Sequence, residues 1–333
     1  MLTPAYKLTL GRKVVDTTDE PKASTVVDLM VSLDLDTPAD GFTLVLGNVG
    51  TFRPAREDDA SIELGYADED SLTKVMTGTV STVEPNLTTT RVVGTSGASP
   101  FLRTFIEETF ESKTAGAIVR DLAERSGVDV ARVEDGIRFP AYVIDGRRSA
   151  YRHCLDLAAL CGFDLYLDDE GKLVFEAFQT GRRVHVYDYA KHVVELDALR
   201  KAPRAARVQA WGESPASSRG DEAWGWLTTD FKSSRGEAGG GDGPLLLLER
   251  PALRTREAAR AAARAAHTVI GRRALTGKLV STGRPAVKLG DAIRLRGVPD
   301  DSLNASFQVR SVVHRITKTG GFTTTVGFRA IDV

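Results

Sequence analysis

Thr25-Val26-Val27-Asp28-Leu29-Met30-Val31-Ser32-Leu33, followed closely by Phe42-Thr43-Leu44-Val45-Leu46-Gly47-Asn48, decides how the chain is to be read. Apolar and polar residues alternate along both segments, and Pro, Asp and Gly punctuate the gap between them. Successive side chains of an extended strand point to opposite faces, so a period of two marks strands with one buried face. The theme returns in Ser61-Ile62-Glu63-Leu64-Gly65-Tyr66, in the run from Leu72 to Glu84 and in Thr89-Thr90-Arg91-Val92-Val93-Gly94. Residues 1–100 therefore read as an antiparallel sheet or barrel.

The period changes near Phe101. Leu102, Phe105 and Ile106 recur at helical spacing, and Thr114 opens a segment that puts Ile118, Val119, Leu122 and Ala123 on one stripe before Gly127 stops it. Ser149 is a good N-cap for a second helix running to Cys161, with Leu155, Ala158 and Ala159 turned inward and Gly162 as terminator. Phe163–Leu167 and Lys172–Glu176 then flank the turn Asp168-Asp169-Glu170-Gly171 as a hairpin. Residues 101–178 thus form a small α/β module.

Strands are expected again at Val184–Tyr187, Ala206–Trp211, Leu275–Val280, Ala292–Gly297, Ser306–Ile316 and Phe322–Phe328, which makes 179–333 a second β domain. Two insertions interrupt it. Residues 212–244 are Gly/Ser-rich, include Gly239-Gly240-Gly241-Asp242-Gly243, and bury too little to order on their own. A loop of that length binds something or stays mobile, and its Trp224 and Trp226 are candidates to pack against a partner. Residues 255–270 read as an alanine-rich helix of high intrinsic propensity. The fold class is α+β and mainly β.

Composition narrows the function. The 333 residues carry 44 Lys+Arg against 45 Asp+Glu, a formal net charge of −1, so no whole-molecule electrostatic footprint for nucleic acid exists and sequence-specific nucleic-acid binding is not expected. Hydrophobic residues at 42% and charged residues at 27% are ordinary for a globular chain, and one this long folds without disulfides or metal. Cys154 and Cys161, its two cysteines, lie in one predicted helix about 10 Å apart along the axis, too far to bridge. They also lack His or carboxylate neighbours at a spacing that completes a zinc site. Met1-Leu2-Thr3-Pro4-Ala5-Tyr6-Lys7 is not a basic region leading into an apolar core, and no run of about 18 apolar residues occurs, so neither a secretion signal nor a membrane span is expected. Synthesis in a reducing cytoplasm follows.

Catalytic signatures are missing from the sequence. There is no G-x-S-x-G elbow, no H-E-x-x-H, no G-x-x-x-x-G-K-[ST] and no G-x-G-x-x-G after a strand, so no catalytic residue, metal or cofactor is assigned. His153, His185, His192, His267 and His314 include no pair at i, i+4 spacing and read as structural or surface groups; a metal site assembled from distant histidines stays open. Glu57-Asp58-Asp59 and Asp68-Glu69-Asp70 flank the strand Ser61–Tyr66 and read as solvated charges guarding an edge. Arg256, Arg260 and Arg264 recur at i, i+4 and i+8, with Arg272 and Arg273 beyond them. That stripe is either a solvated helix face or a surface for phosphates or an acidic partner. No aromatic platform interleaves with it, which argues against single-strand binding.

Taken in order, several segments carry a resemblance. Pro4-Ala5-Tyr6-Lys7-Leu8-Thr9-Leu10-Gly11, the run Thr77–Pro85, the helix Thr114–Ala123, and Leu157-Ala158-Ala159-Leu160-Cys161-Gly162-Phe163 with the hairpin ending Leu173-Val174-Phe175 resemble the phage late control protein D family. So do Arg284-Pro285-Ala286-Val287-Lys288-Leu289-Gly290-Asp291 and the run Phe307–His314 near the C-terminus. Members are baseplate hubs of contractile tails, similar to the N-terminal part of the VgrG spike proteins of type VI secretion. The resemblance implies two tail-tube-like antiparallel β-barrels with the small α/β module between them, in a homotrimer that adapts a hexameric tail tube to a trimeric spike. The implied partners are tail tube protein, a separate spike polypeptide, because the chain stops at Val333 soon after the last expected strand, and baseplate wedge proteins. Arg256, Arg260, Arg264, Trp224 and Trp226 are then candidate interface residues, and the product is carried in a phage tail or tail-like particle. Two rivals remain: a particle-associated cell-wall hydrolase, for which no nucleophile or carboxylate signature is found, and a stand-alone ligand-binding β-protein, for which an aromatic-rich face is lacking at 7% aromatic content.

Overall fold

The alternation in the first hundred residues becomes seven strands, β1 (Pro4–Leu10), β2 (Lys13–Asp16), β3 (Val26–Asp34), β4 (Gly41–Gly47), β5 (Asp59–Tyr66), β6 (Thr73–Pro85) and β7 (Thr89–Ser96). A computed structural model describes residues 3–18, 26–37, 40–47, 53–69, 71–212 and 235–331. The seven strands pair antiparallel in the order β3-β4-β7-β6-β5-β1-β2, and their inward residues, among them Leu8, Leu29, Val31, Leu44 and Ile62, form one apolar cluster. Gly94 opposes Phe42 across β7 and β4, and a Cβ there would meet the Phe42 ring at 2.1 Å, so the ring lies where a side chain would stand. Because β5 lies between β1 and β6, the acidic clusters beside it do not guard an edge as expected. They tie turns instead: Asp58 Oδ2 accepts from Ala55 N at 2.7 Å, and Glu69 Oε2 from Tyr66 N at 3.1 Å.

The middle of the chain holds α1 (Ser99–Arg103), β8 (Glu108–Thr114), α2 (Ala115–Arg125), β9 (Val130–Val133), β10 (Arg138–Ile144), α3 (Ala150–Cys161), β11 (Asp164–Leu167) and β12 (Leu173–Glu176). Thr114 caps α2 as expected, its side chain accepting from Ala117 N at 3.1 Å, and Gly127 follows the helix with φ +68°. The helix expected around Phe101 to Ile106 is a single turn. Thr104 is already extended, Phe105 bridges to Ser149 with 58% of its surface exposed, and alternating burial continues into β8. In α3 the inward face is Tyr151, Cys154, Leu157 and Ala158, with Leu155 half-buried against the same cluster; Ala159 is exposed, contrary to the sequence reading.

The remainder comprises β13 (Val184–Asp188), α4 (Tyr189–His192), β14 (Val193–Arg200), β15 (Arg207–Trp211), β16 (Gly236–Gly239), β17 (Leu245–Glu249), α5 (Arg256–Arg272), β18 (Leu275–Thr282), β19 (Ala292–Arg296), β20 (Ser306–Thr317) and β21 (Gly321–Ala330). Residues 235–244, read from sequence as part of an unordered loop, contain β16, which pairs with β15 from Arg207↔Gly239 to Ala210↔Gly236. Glycine is what permits it: a Cβ on Gly236 would meet the backbone of Ala259 in α5 at 2.1 Å. The rest of that expected loop, 213–234, lies outside the described residues. Thr255 caps α5 by accepting from Ala258 N at 3.2 Å, and Ala258, Ala259, Ala262 and Ala263 pack into the same apolar cluster as α2 and α3.

The molecule is mainly β, and the two curled β units form one sheet of 13 strands. The strand that joins them is β20. Its first residues pair with β19, and Ser311 to Thr317 pair antiparallel with β3, setting His314 opposite Val31 and Ile316 opposite Leu29. Ile316 and Phe322 from the C-terminal half thereby belong to the N-terminal apolar cluster. Leu29, with 0% exposure, sits at this seam. Leu29→Ala is expected to cost about 2–5 kcal/mol and, because the seam serves both halves, to lower their unfolding midpoints together in urea. Loss confined to the N-terminal half would contradict a shared core.

Candidate functional site

Several of the side chains capable of chemistry are engaged structurally. Among the described residues no group of three or more His, Cys, Asp or Glu could hold a metal ion. His314 is buried in β20 with Nδ1 3.0 Å from Thr324 Oγ1, and burial lowers its pKa to about 4, so the ring is neutral at pH 7. His153 Nε2 lies 3.0 Å from the Asp145 carbonyl oxygen, and Nδ1 3.2 Å from Arg148 Nη2, which fixes the tautomer as Nε2–H donating. His185 pairs with Asp291 at 2.8 Å. Burial raises the Cys154 thiol well above its ordinary value and pushes Cys161 up to about 11, so neither supplies a thiolate at neutral pH.

What the chain presents outward is sheet. Its path ends at β14 on one side and β2 on the other. Val194 and Leu199 of β14 and Val14 of β2 are at least half exposed, and Leu87 protrudes at the tip of the β6–β7 hairpin. An edge that no strand among the described residues pairs with, carrying apolar side chains, invites another strand, so these termini are candidate assembly surfaces. Sequence reasoning passed over β14, although Val194-Glu195-Leu196-Asp197-Ala198 alternates with period two.

Arg256, Arg260 and Arg264 stand exposed on α5, on the face away from the buried alanines, and form no ion pair among the described residues. Arg272, further along, is held: its Nε donates to the Ile331 carbonyl at 2.9 Å. Trp224 and Trp226 lie outside the described residues.

A buried charge cluster that sequence reasoning also missed connects three segments. Asp164, the first residue of β11, accepts hydrogen bonds from Arg310 Nη1 and Gln308 Nε2 of β20, and Arg329 Nη2 of β21 lies 3.5 Å away. Arg329 Nε donates to Gln308 Oε1 at 2.8 Å, and Arg310 Nη2 reaches Asp36 Oδ1, just past β3, at 2.6 Å. Burial alone pushes the Asp36 carboxyl up, but the hydrogen bond and charge of Arg310 outweigh it and hold it below the usual range. Burial, then the Arg310 charge, lowers Arg329 to about 10, which leaves it charged at neutral pH. No local motif announces such a cluster, because its members are distant in sequence and each is unremarkable alone. Elsewhere, Asp40 is buried beside β4: burial pushes its carboxyl up to about 7, opposed by the bond its Oδ1 accepts from Asp34 N at 2.7 Å and aided by the Asp34 charge.

No protein-family profile matches this sequence, and no curated protein does. Solved structures share the fold. The 43 kDa tail protein of prophage MuSo2 from Shewanella oneidensis aligns with a TM-score of 0.71 at 14% identity, covering 98% of each chain. A tail protein from Neisseria meningitidis aligns at 0.73 and 13% identity, covering 99% of this chain and 97% of that one. The Escherichia coli c3393 protein, a component of type VI secretion described as similar to the T4 tail proteins gp27 and gp5, aligns at 0.60 and 12% identity over 97% of this chain and 76% of its own. This chain therefore has the fold of phage tail and type VI secretion tail proteins. No helix among the described residues is long and apolar enough to cross a membrane.

Removing Asp164 takes a buried carboxylate from two largely buried arginines and leaves Arg310 only Asp36 and Arg329 only Gln308, so Asp164→Ala is expected to cost about 3–5 kcal/mol. Arg91→Ala, which breaks an exposed pair with Glu84, is expected to cost no more than about 1 kcal/mol. Equal urea midpoints for the two variants would refute the structural role of the cluster. For Asp40 the folded pKa lies above the ordinary 3.8, so its contribution to stability is complete below that value and declines as pH rises to about 7. Asp40→Asn is expected to gain on the parent across that window, by at most about 4 kcal/mol. Denaturation of both proteins at successive pH values should show the gap widening; a constant gap would contradict it.

Proposed function

We propose that this chain is a structural hub of a phage tail or tail-like injection particle, with no catalytic role. The observation that carries the reading is the continuous sheet, in which two curled β units lie side by side and end in edges that no strand among the described residues pairs with. Two such units per chain let three chains offer six similar edges, which is what joining a hexameric tube to a trimeric spike requires. Likeness of fold to tail proteins over nearly the whole chain supports the reading, as does likeness to a type VI component itself described as similar to gp27 and gp5.

In this reading residues 1–100 and the large-sheet strands of 179–333 are the two tube-like units, and 101–178 with α5 packed on it is their brace. Copies associate as a homotrimer through β14 and β2, tail tube protein meets one rim, and a separate spike polypeptide and wedge proteins meet the others. The interfaces of such an obligate ring bury more than about 2,000 Å². Arg256, Arg260 and Arg264 then meet an acidic surface of a neighbouring subunit. The late control protein D resemblance belongs to the same proposal. A cell-wall hydrolase is the competing reading, and a peptidoglycan zymogram with a clear band would favour it.

Absolute mass by light scattering after size exclusion, with and without the spike polypeptide, tests the proposal. Three times the chain mass of 35.9 kDa is expected. Arg260→Glu with Arg264→Glu is expected to shift that mass to the monomer. A parent that stays monomeric in every condition would contradict the hub.

A further inference from the structure

A cavity of about 800 Å³ opens between α3, α5, β17, residues 201–204 and the ends of β18 and β21. Leu155, Val269, Ile270 and Phe328 give it an apolar floor, while Lys201, Arg204, Arg250 and Arg273 line it as solvent-exposed cations. None of these four has an ion-pair partner among the described residues. The acids nearby are already engaged, Asp36 and Asp164 by Arg310, and Asp156 by Arg148. A chain with a net charge of −1 thus concentrates unmatched positive charge around one apolar hollow.

One wall of the hollow is a strand with a free edge. In the three-stranded sheet of order β16-β15-β17, β17 is terminal. Arg250 N donates to the Trp211 carbonyl at 3.0 Å, and the Pro244 carbonyl accepts from Ala206 N at 2.8 Å, so the even-numbered positions of this stretch face β15. The two-residue repeat of a strand then turns the N–H and C=O groups of Leu245, Leu247 and Glu249 outward. No strand among the described residues pairs with them. Leu246 and Leu248 face the cavity, while Leu245 and Leu247 are 40% and 57% exposed on the opposite face.

We propose that this edge and cavity bind an extended acidic segment of a partner polypeptide. The segment adds as a fourth strand beside β17, and its cavity-facing positions, every second residue, set apolar side chains into the hollow and carboxylates against Lys201, Arg204, Arg250 and Arg273. Main-chain hydrogen bonds supply affinity, the hollow selects alternate side chains, and the cations reject basic segments. A nucleic-acid strand or a free organic anion would satisfy the cations and leave the amide edge unpaired. The site is complete on one chain and does not rest on the assembly proposed above.

The test is fluorescence anisotropy of labelled peptides of the repeats Leu-Thr-Glu-Thr and Leu-Thr-Lys-Thr, in which Leu and the charged residue share one face of a strand, titrated into the purified full chain. The acidic peptide is expected to bind and the basic one not. Arg204→Glu with Arg250→Glu, whose fold is checked by circular dichroism, is expected to weaken binding at least about tenfold. The acidic peptide methylated on alternate backbone nitrogens keeps its side chains but loses strand pairing, and is expected to lose binding. The proposal fails if the acidic peptide does not bind up to about 1 mM, if both peptides bind alike, if the methylated peptide binds as well as its parent, or if oligodeoxythymidylate displaces it at equal charge. It also fails if binding emerges only after residues 213–234 are deleted, because the occupant is then the chain's own segment.

Discussion

The antiparallel pairing of β20 with β3 is the constraint on which the rest of the structure depends. It brings Leu29 against Ile316, residues from opposite ends of the chain, and so makes one sheet of two β units that could otherwise have packed as separate bodies. Contacts of such sequence separation form late and slowly, because the intervening chain must be ordered before they are rewarded. Everything between β3 and β20 has to fit the gap that this pairing closes. The middle module gathers α2, α3 and α5 around an apolar cluster of its own, which holds no residue of the 13 strands.

The charge cluster, buried at Asp164 and reaching the surface at Asp36, ties that module to the sheet. Asp164 belongs to the module, Arg310, Gln308 and Arg329 to the C-terminal strands, and Asp36 to the end of β3. Apolar surfaces slide over one another at little cost, whereas a carboxylate shared by two arginines tolerates few arrangements. A buried ion pair adds little net stability over a well-packed apolar substitute, but breaking one is expensive. Its effect here is therefore on the relative placement of three segments. Relative placement is also what a ring-forming subunit needs, since an error in one chain is repeated around the ring.

Most of the fold was legible in the sequence because its strands alternate cleanly and two of its three longer helices, α2 and α5, open on the capping residues Thr114 and Thr255. Where reading failed, a local signal was overruled by something distant. Leu102, Phe105 and Ile106 match a helical stripe, yet the extended backbone from Thr104 joins Phe105 to Ser149, far along the chain. Gly236 to Gly239 looks too poor in side chains to order, yet it forms a strand because only glycine lets the backbone lie against α5. The functional surfaces were less legible. Arg256, Arg260 and Arg264 could be seen as a stripe, but the Asp164 cluster, the cavity and the free edge of β17 exist only after folding.

The central claim is that one chain contributes two similar β units to a closed ring, and end-on electron-microscope projections of the purified assembly test it most directly. The account predicts a ring of three subunits whose inner wall shows six similar lobes. Monomeric particles, or a ring with as many lobes as subunits, would contradict it.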